Sequence, residues 1–173
     1  MTNVRKMLFA IACVVCLGLA AAACKSGAGD TDWTKRPLKT AQGTVDGIKF
    51  SIEVPDNIRQ KDRGDEVGFD TLINDRVYDP SISIRSGTGT PSLEEWLKYS
   101  PEEKATRKEA LADGFIISGP NEYHDNAVTV YVERAAGDKK LICHANAARG
   151  GGTPDPTGSL AKLEQLCLSL KAL

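Results

Sequence analysis

Val128-Thr129-Val130-Tyr131-Val132-Glu133 and, after a Gly137-Asp138 turn, Leu141-Ile142-Cys143-His144-Ala145-Asn146-Ala147 are the two runs that decide the fold. Valine takes every second place in the first run. Leu141, Cys143, Ala145 and Ala147 do so in the second. Side chains alternate across a strand, so each run carries one apolar face and one polar face. Two such runs around a Gly-Asp turn predict an antiparallel hairpin.

The same period extends towards the N-terminus. Phe115 to Ser118 reads as a short apolar strand, closed by a Gly119-Pro120-Asn121 turn. Within Val45 to Val54, Ile48, Phe50, Ile52 and Val54 alternate with Lys49, Ser51 and Glu53. Asp46-Gly47 is turn chemistry that joins a short first strand to this one. Pro55 stops the strand, a charged loop runs from Asp56 to Glu66, and Val67 to Ile73 reads as another strand. Asn74-Asp75 is a turn, and Ser81 to Arg85 alternates again around Ile82 and Ile84.

Between these strands lie two capping boxes, Ser92-Leu93-Glu94-Glu95 and Ser100-Pro101-Glu102-Glu103. In each, the serine can cap a helix start while the glutamate three residues on reaches back. They predict helices over 93–99 and 101–112. The first turns Leu93, Trp96 and Leu97 to the sheet, and the second lies outside, ended by Gly114. Beyond the loop Gly150-Gly151-Gly152, Asp155 can cap a final helix in which Leu160, Leu163, Cys167 and Leu170 recur at helical spacing. The order predicts an α+β fold: an antiparallel β-sheet with helices packed on it, the C-terminal helix closing one face.

The chain starts differently. Arg5 and Lys6 precede an apolar run, Met7 to Ala23, that ends Leu19-Ala20-Ala21-Ala22-Ala23-Cys24. A positive stub, an apolar stretch and small residues at its end mark a secretory signal. The segment resembles the lipobox of bacterial lipoprotein precursors. That resemblance implies a diacylglycerol on the Cys24 thiol, cleavage before Cys24, and a further acyl chain such as palmitate on the new amine. The lipobox position usually held by Leu, Val or Ile is Ala21 here. Two or more chains give a stable membrane anchor. Lys25, rather than an aspartate, follows the cysteine, and in the family this favours the outer membrane.

The expected organisation is a signal peptide over 1–23, lipidated Cys24 and a flexible polar tether over 24–42, and one α+β domain over 43–173. Trp33 stands out in this polar tether, as a residue that can pack on the domain or sit at the lipid interface. Of the five cysteines, Cys13 and Cys16 leave with the signal and Cys24 carries lipid. Cys143 and Cys167 remain, and in an oxidising compartment an even pair forms a disulfide. That bond would staple the last helix to the hairpin. Loss of Arg5 and Lys6 leaves 20 basic residues against 23 acidic ones, a net charge near −3. No basic stripe points to a nucleic-acid partner.

The stretch Gly47-Ile48-Lys49-Phe50-Ser51-Ile52-Glu53-Val54-Pro55 and the ending Ser169-Leu170-Lys171 resemble the opening and close of PsbP-like and related Mog-type domains. The resemblance implies an α/β/α sandwich and a binding, scaffolding or assembly-support role.

Chemistry-bearing motifs are scarce. The two histidines are His124, in a polar turn, and His144, which alternates with Cys143 and so faces away from its side of the sheet. No His-Glu-x-x-His, Gly-x-Ser-x-Gly or phosphate loop is present. The acidic residues of 56–70, among them Asp62, Asp65, Glu66 and Asp70, match no calcium-loop spacing. The sequence therefore predicts no catalytic, metal or cofactor residues, and a lipid-anchored, non-enzymatic domain that binds or supports another envelope protein. Two alternatives stand beside it: a small-ligand-binding lipoprotein with a cleft between sheet and helices, and an envelope hydrolase.

Overall fold

A computed structural model describes residues 32–73, 76–100, 104–121, 127–148 and 156–173. The signal peptide, Cys24, His124 and the Gly150–Gly152 loop lie outside the described residues. The described residues form ten strands and two α-helices. They belong to the α+β class, and antiparallel pairing dominates.

The hairpin predicted over Val128–Ala147 forms, in the middle of the larger sheet. Strands β8 (Ala127–Ala136) and β9 (Lys139–Ala148) pair antiparallel around Gly137, with Val132 opposite Cys143 and Tyr131 opposite His144. They sit in a seven-stranded sheet of order β3-β4-β5-β9-β8-β7-β6. Its other members are β3 (Arg59–Asp62), β4 (Glu66–Ile73), β5 (Arg76–Thr88), β6 (Arg107–Leu111) and β7 (Gly114–Pro120). A smaller sheet of order β1-β2-β10 holds β1 (Leu38–Val45), β2 (Ile48–Pro55) and β10 (Lys171–Ala172). Asp46 and Gly47, with φ of 48° and 79°, make the tight turn between β1 and β2, the left-handed pair that a two-residue hairpin needs.

The apolar alternation all points one way. Val67 and Phe69, Ile82 and Ile84, Val128, Val130 and Val132, and Leu141, Cys143 and Ala145 line the inner face of the large sheet. Against them pack Phe50, Ile52 and Val54 of β2 and Leu163, Leu166, Cys167 and Leu170, from α2 (Pro156–Leu168) and the turn after it. The disulfide Cys143–Cys167 joins β9 to α2, with its Cα atoms 5.6 Å apart. Two periods read independently, one of a strand and one of a helix, meet at one bond.

Helix α1 (Leu93–Tyr99) has the bounds predicted for it. Ser92 caps it by accepting the Glu95 amide at 3.2 Å, and Leu93, Trp96 and Leu97 are its less exposed residues.

Several expectations are corrected. The helix expected over 101–112 is absent where its residues are described: Arg107–Leu111 is strand β6, and Ser100 closes α1. Its charges suit a sheet edge, where they discourage pairing with other chains. Arg107 also bonds Glu164 of α2 at 2.8 Å, a contact that helix-forming local propensity does not anticipate. The charged loop 56–66 contains β3, the opposite edge of the same sheet.

Residues 32–42, expected to lie in a flexible polar tether, are part of the fold. Trp33 is 2% exposed within the core, and β1 pairs with β2 along its whole length from Leu38. An edge strand that buries little reads as polar linker, and Trp33 is held by partners distant in sequence. The Ser169-Leu170-Lys171 ending falls past the helix, where Lys171 pairs with Ser51.

Candidate functional site

The polar alternates of the hairpin lie on the outer face of the large sheet. Register across the strands sets Ser83, His144, Tyr131 and Ile117 in one row. Asp70, Ser81, Asn146, Thr129 and Gly119 form the next row. Small and polar groups thus flank two rings. Asn121 donates to the Thr129 hydroxyl at 2.7 Å, and that hydroxyl donates to Asn146 Oδ1 at 2.8 Å. This chain of bonds fixes the Asn146 amide on the face.

Helix α1 covers one end of the face. Trp96 leans on Tyr131, with ring centroids 5.3 Å apart, and on fully buried Phe115 at 6.4 Å. Tyr131 stacks on Phe115 at 6.0 Å and meets His144 at 6.3 Å. Beneath the rings lies Glu133, 1% exposed. It accepts from the Tyr131 hydroxyl and from Lys140 Nζ, both at 2.8 Å. A buried carboxylate persists only when paired and hydrogen-bonded, and both conditions hold here. Glu133→Leu strands the half-buried Lys140 ammonium, so we expect a loss of about 3 kcal/mol. Urea unfolding measures it, and a neutral outcome would contradict the pairing.

Beside α1 is an open cleft of about 260 Å³, lined by Thr90, Ser92, Ser100, Trp96, Tyr99 and Lys140. Tyr99 is 82% exposed at its rim.

Two titratable groups of this face, Tyr131 and His144, are shifted from their ordinary values. Burial pushes the Tyr131 phenol well above its ordinary 10, and the Glu133 carboxylate adds to this. Tyr131 therefore stays a neutral donor. His144 is solvent-exposed, and Cys143 is fully buried on the opposite face, as alternation predicts. Packing against the sheet holds the imidazole below its ordinary 6.5, with Arg85 helping and Glu66 opposing. A histidine lowered on folding resists protonation. Its contribution to stability is full above pH 6.5 and is lost as pH falls from there towards the folded value. Proton NMR of the two histidine rings should give one midpoint below 6.5, absent from His144→Gln. A His144 midpoint at or above 6.5 would contradict the packing.

The acidic residues of 56–70 do not converge. Glu66 pairs with Arg85 and Arg63, and Asp70 pairs with Lys61 at 3.0 Å. Among the described residues no group of three His, Cys, Asp or Glu side chains is placed to hold a metal ion. No helix among them is long and apolar enough to cross a membrane.

The fold is of the α+β class, mainly antiparallel sheet with two helices among the described residues. No family profile matches the chain, and no curated protein matches it. It is similar to a solved structure from Bacteroides thetaiotaomicron VPI-5482, at 14% identity and a TM-score of 0.39, over 72% of this chain and 45% of that one. The chain thus spans less than half the length of that protein.

Proposed function

We propose that this chain is an exported lipoprotein, anchored through lipid on Cys24 to a bacterial envelope membrane, whose domain binds another envelope component without catalysis. The observation that carries the reading is the run Met7–Ala23 ending in small residues at Cys24, with Lys25 after it. Lys25 favours the outer membrane. The bonded pair Cys143–Cys167 supports folding in an oxidising compartment. The layering of α1, sheet and α2, and the strand Phe50-Ser51-Ile52-Glu53-Val54-Pro55, suit a PsbP- or Mog-like sandwich with a scaffolding or assembly-support role.

The outer face is the binding surface in this reading. It offers amide, hydroxyl and imidazole groups beside rings, the chemistry of recognition. Affinity capture from solubilised envelope tests it. A partner should be retained by the native protein and lost with Thr129→Ala/His144→Ala/Asn146→Ala, while α2 variants such as Lys162→Ala keep it. Capture of no partner would count against the reading, and so would capture indifferent to the triple variant.

A second reading, binding of a small molecule, has the cleft beside α1 in its favour. Its 260 Å³ is close to the lower end of ligand pockets, which begin at about 300 Å³. Thermal-shift screening separates the two, since a ligand that binds the folded state raises the melting temperature by mass action.

A further inference from the structure

We infer that the cleft beside α1 takes a neutral oligosaccharide, with a sugar ring laid against Trp96 and Tyr99. The inference rests on the small-molecule reading of that cleft and names its ligand class.

The first argument is how the lining is held. Trp96 and Tyr99 stand three residues apart on α1, so their side chains rise from one side of the helix. Trp96 leans on Tyr131 and Phe115. The Tyr131 hydroxyl and Lys140 Nζ both donate to Glu133, which is fully buried. The Lys140 stem also lies over Gly87, where a Cβ would come within 2.9 Å of Lys140 Cε. The indole and the ammonium that line the cleft are therefore both set by one buried carboxylate, the indole through Tyr131. A ligand that meets groups already in place loses less in ordering them.

The second argument is charge. The lining carries one ammonium, Lys140, and one carboxylate, Glu95. Glu133 already balances the ammonium, at 2.8 Å. A phosphate or carboxylate ligand, which is held by charge-assisted bonds, meets no surplus positive charge here. The ammonium has three N–H donors, and Glu133 takes one of them. It serves the cleft as a donor rather than as a charge.

The third argument is the mixture of surfaces. Thr90, Ser92 and Ser100 bring hydroxyls, Glu95 brings acceptors and Lys140 brings donors. Sugar hydroxyls both donate and accept, and this lining answers both. The faces of Trp96 and Tyr99 are electron-rich and complement the C–H bonds on the face of a sugar ring. Tyr99 is 82% exposed, so its ring adds little to the core. The cleft is open, at about 260 Å³, and suits a length of chain whose ends run on into solvent. A cation is the rival ligand, since it would also be attracted by rings and a carboxylate.

The test uses the purified full chain and calorimetric titration with neutral tetramers: cellotetraose, maltotetraose, xylotetraose and the tetramer of N-acetylglucosamine. At least one should bind with a Kd below about 1 mM, unchanged between about 50 and 500 mM salt. The cationic tetramer of glucosamine and the anionic tetramer of galacturonate should bind more weakly. Tyr99→Ala should weaken binding about ten-fold with unchanged melting, and Lys162→Ala should not weaken it. The chain has two tryptophans, and Trp33 is buried in the core. The bound sugar should therefore shift the emission of Trp96, and Trp96→Phe should lose the shift. Binding that ignores Tyr99→Ala and leaves Trp96 emission unchanged would overturn the site. Preference for a charged tetramer would overturn the ligand class. Failure of every neutral tetramer would overturn the inference, while a different compound that raises the melting temperature through Tyr99 would keep the small-molecule reading.

Discussion

Replacing Cys143 and Cys167 together with alanine should remove about 3–4 kcal/mol from the unfolding free energy. The two residues are 24 apart in sequence. A cross-link closing a loop of that length lowers the entropy of the unfolded chain by about that amount at 25 °C. Both side chains are fully buried between β9 and α2, so the truncation adds a small packing loss to the entropic one. Domains of this size have about 5–15 kcal/mol in all, and the variant should sit near the edge of folding. Urea midpoints of the oxidised protein, the reduced protein and the double variant measure the effect. A loss below about 1 kcal/mol would mean that the bond constrains nothing the fold does not already hold. The bond ties α2 to β9, the strand that carries His144 and Asn146.

Gly114→Ala should be as damaging, for a local reason. A Cβ at Gly114 would lie 1.8 Å from the backbone oxygen of Glu133, inside any possible contact. Gly114 faces Arg134 across the β7–β8 ladder, and the Ala135 amide donates to the Asp113 carbonyl at 2.7 Å beside it. Backbone must move, and the ladder opens next to the buried Glu133. We expect a loss of about 3 kcal/mol or more, at the high end for single substitutions. Gly68→Ala is the control. Its nearest neighbours would be at 3.8 and 3.9 Å, an ordinary contact, and its cost should stay within about 0.5 kcal/mol. Equal stability of the two variants would contradict the close approach of β7 to β8.

What the sequence made legible follows burial. The stretches with one face in the core, β2, β8, β9 and Ser81–Arg85 within β5, alternate and were readable at once. So was α2, whose Leu160, Leu163 and Cys167 keep helical spacing. Edge strands were not. Arg59-Gln60-Lys61-Asp62 and Arg107-Lys108-Glu109-Ala110-Leu111 bury little, and their charges resemble a loop and a helix. Strand β1, Leu38–Val45, was legible only as a short strand before the Asp46-Gly47 turn for the same reason, and Trp33 was missed because its partners are distant in sequence.

The candidate site was half legible. Alternation put Thr129, Tyr131, His144 and Asn146 on one face, but nothing local brought Trp96 and Phe115 to them. Glu133 could not be read as buried, because a charge at an alternate position reads as solvated. The usable signal was the pair of rings, Tyr131 and His144, among the polar alternates of the central hairpin.

Intact-mass spectrometry of the polypeptide isolated from membranes reads the lipid on Cys24 and the cleavage point together. The expected chain begins at Cys24 and is heavier than residues 24–173 by a diglyceride and any further acyl chain. Cys24→Ser should abolish both processing and membrane retention. A chain cut elsewhere, or a Cys24→Ser variant that is still processed and retained, would contradict the lipid anchor.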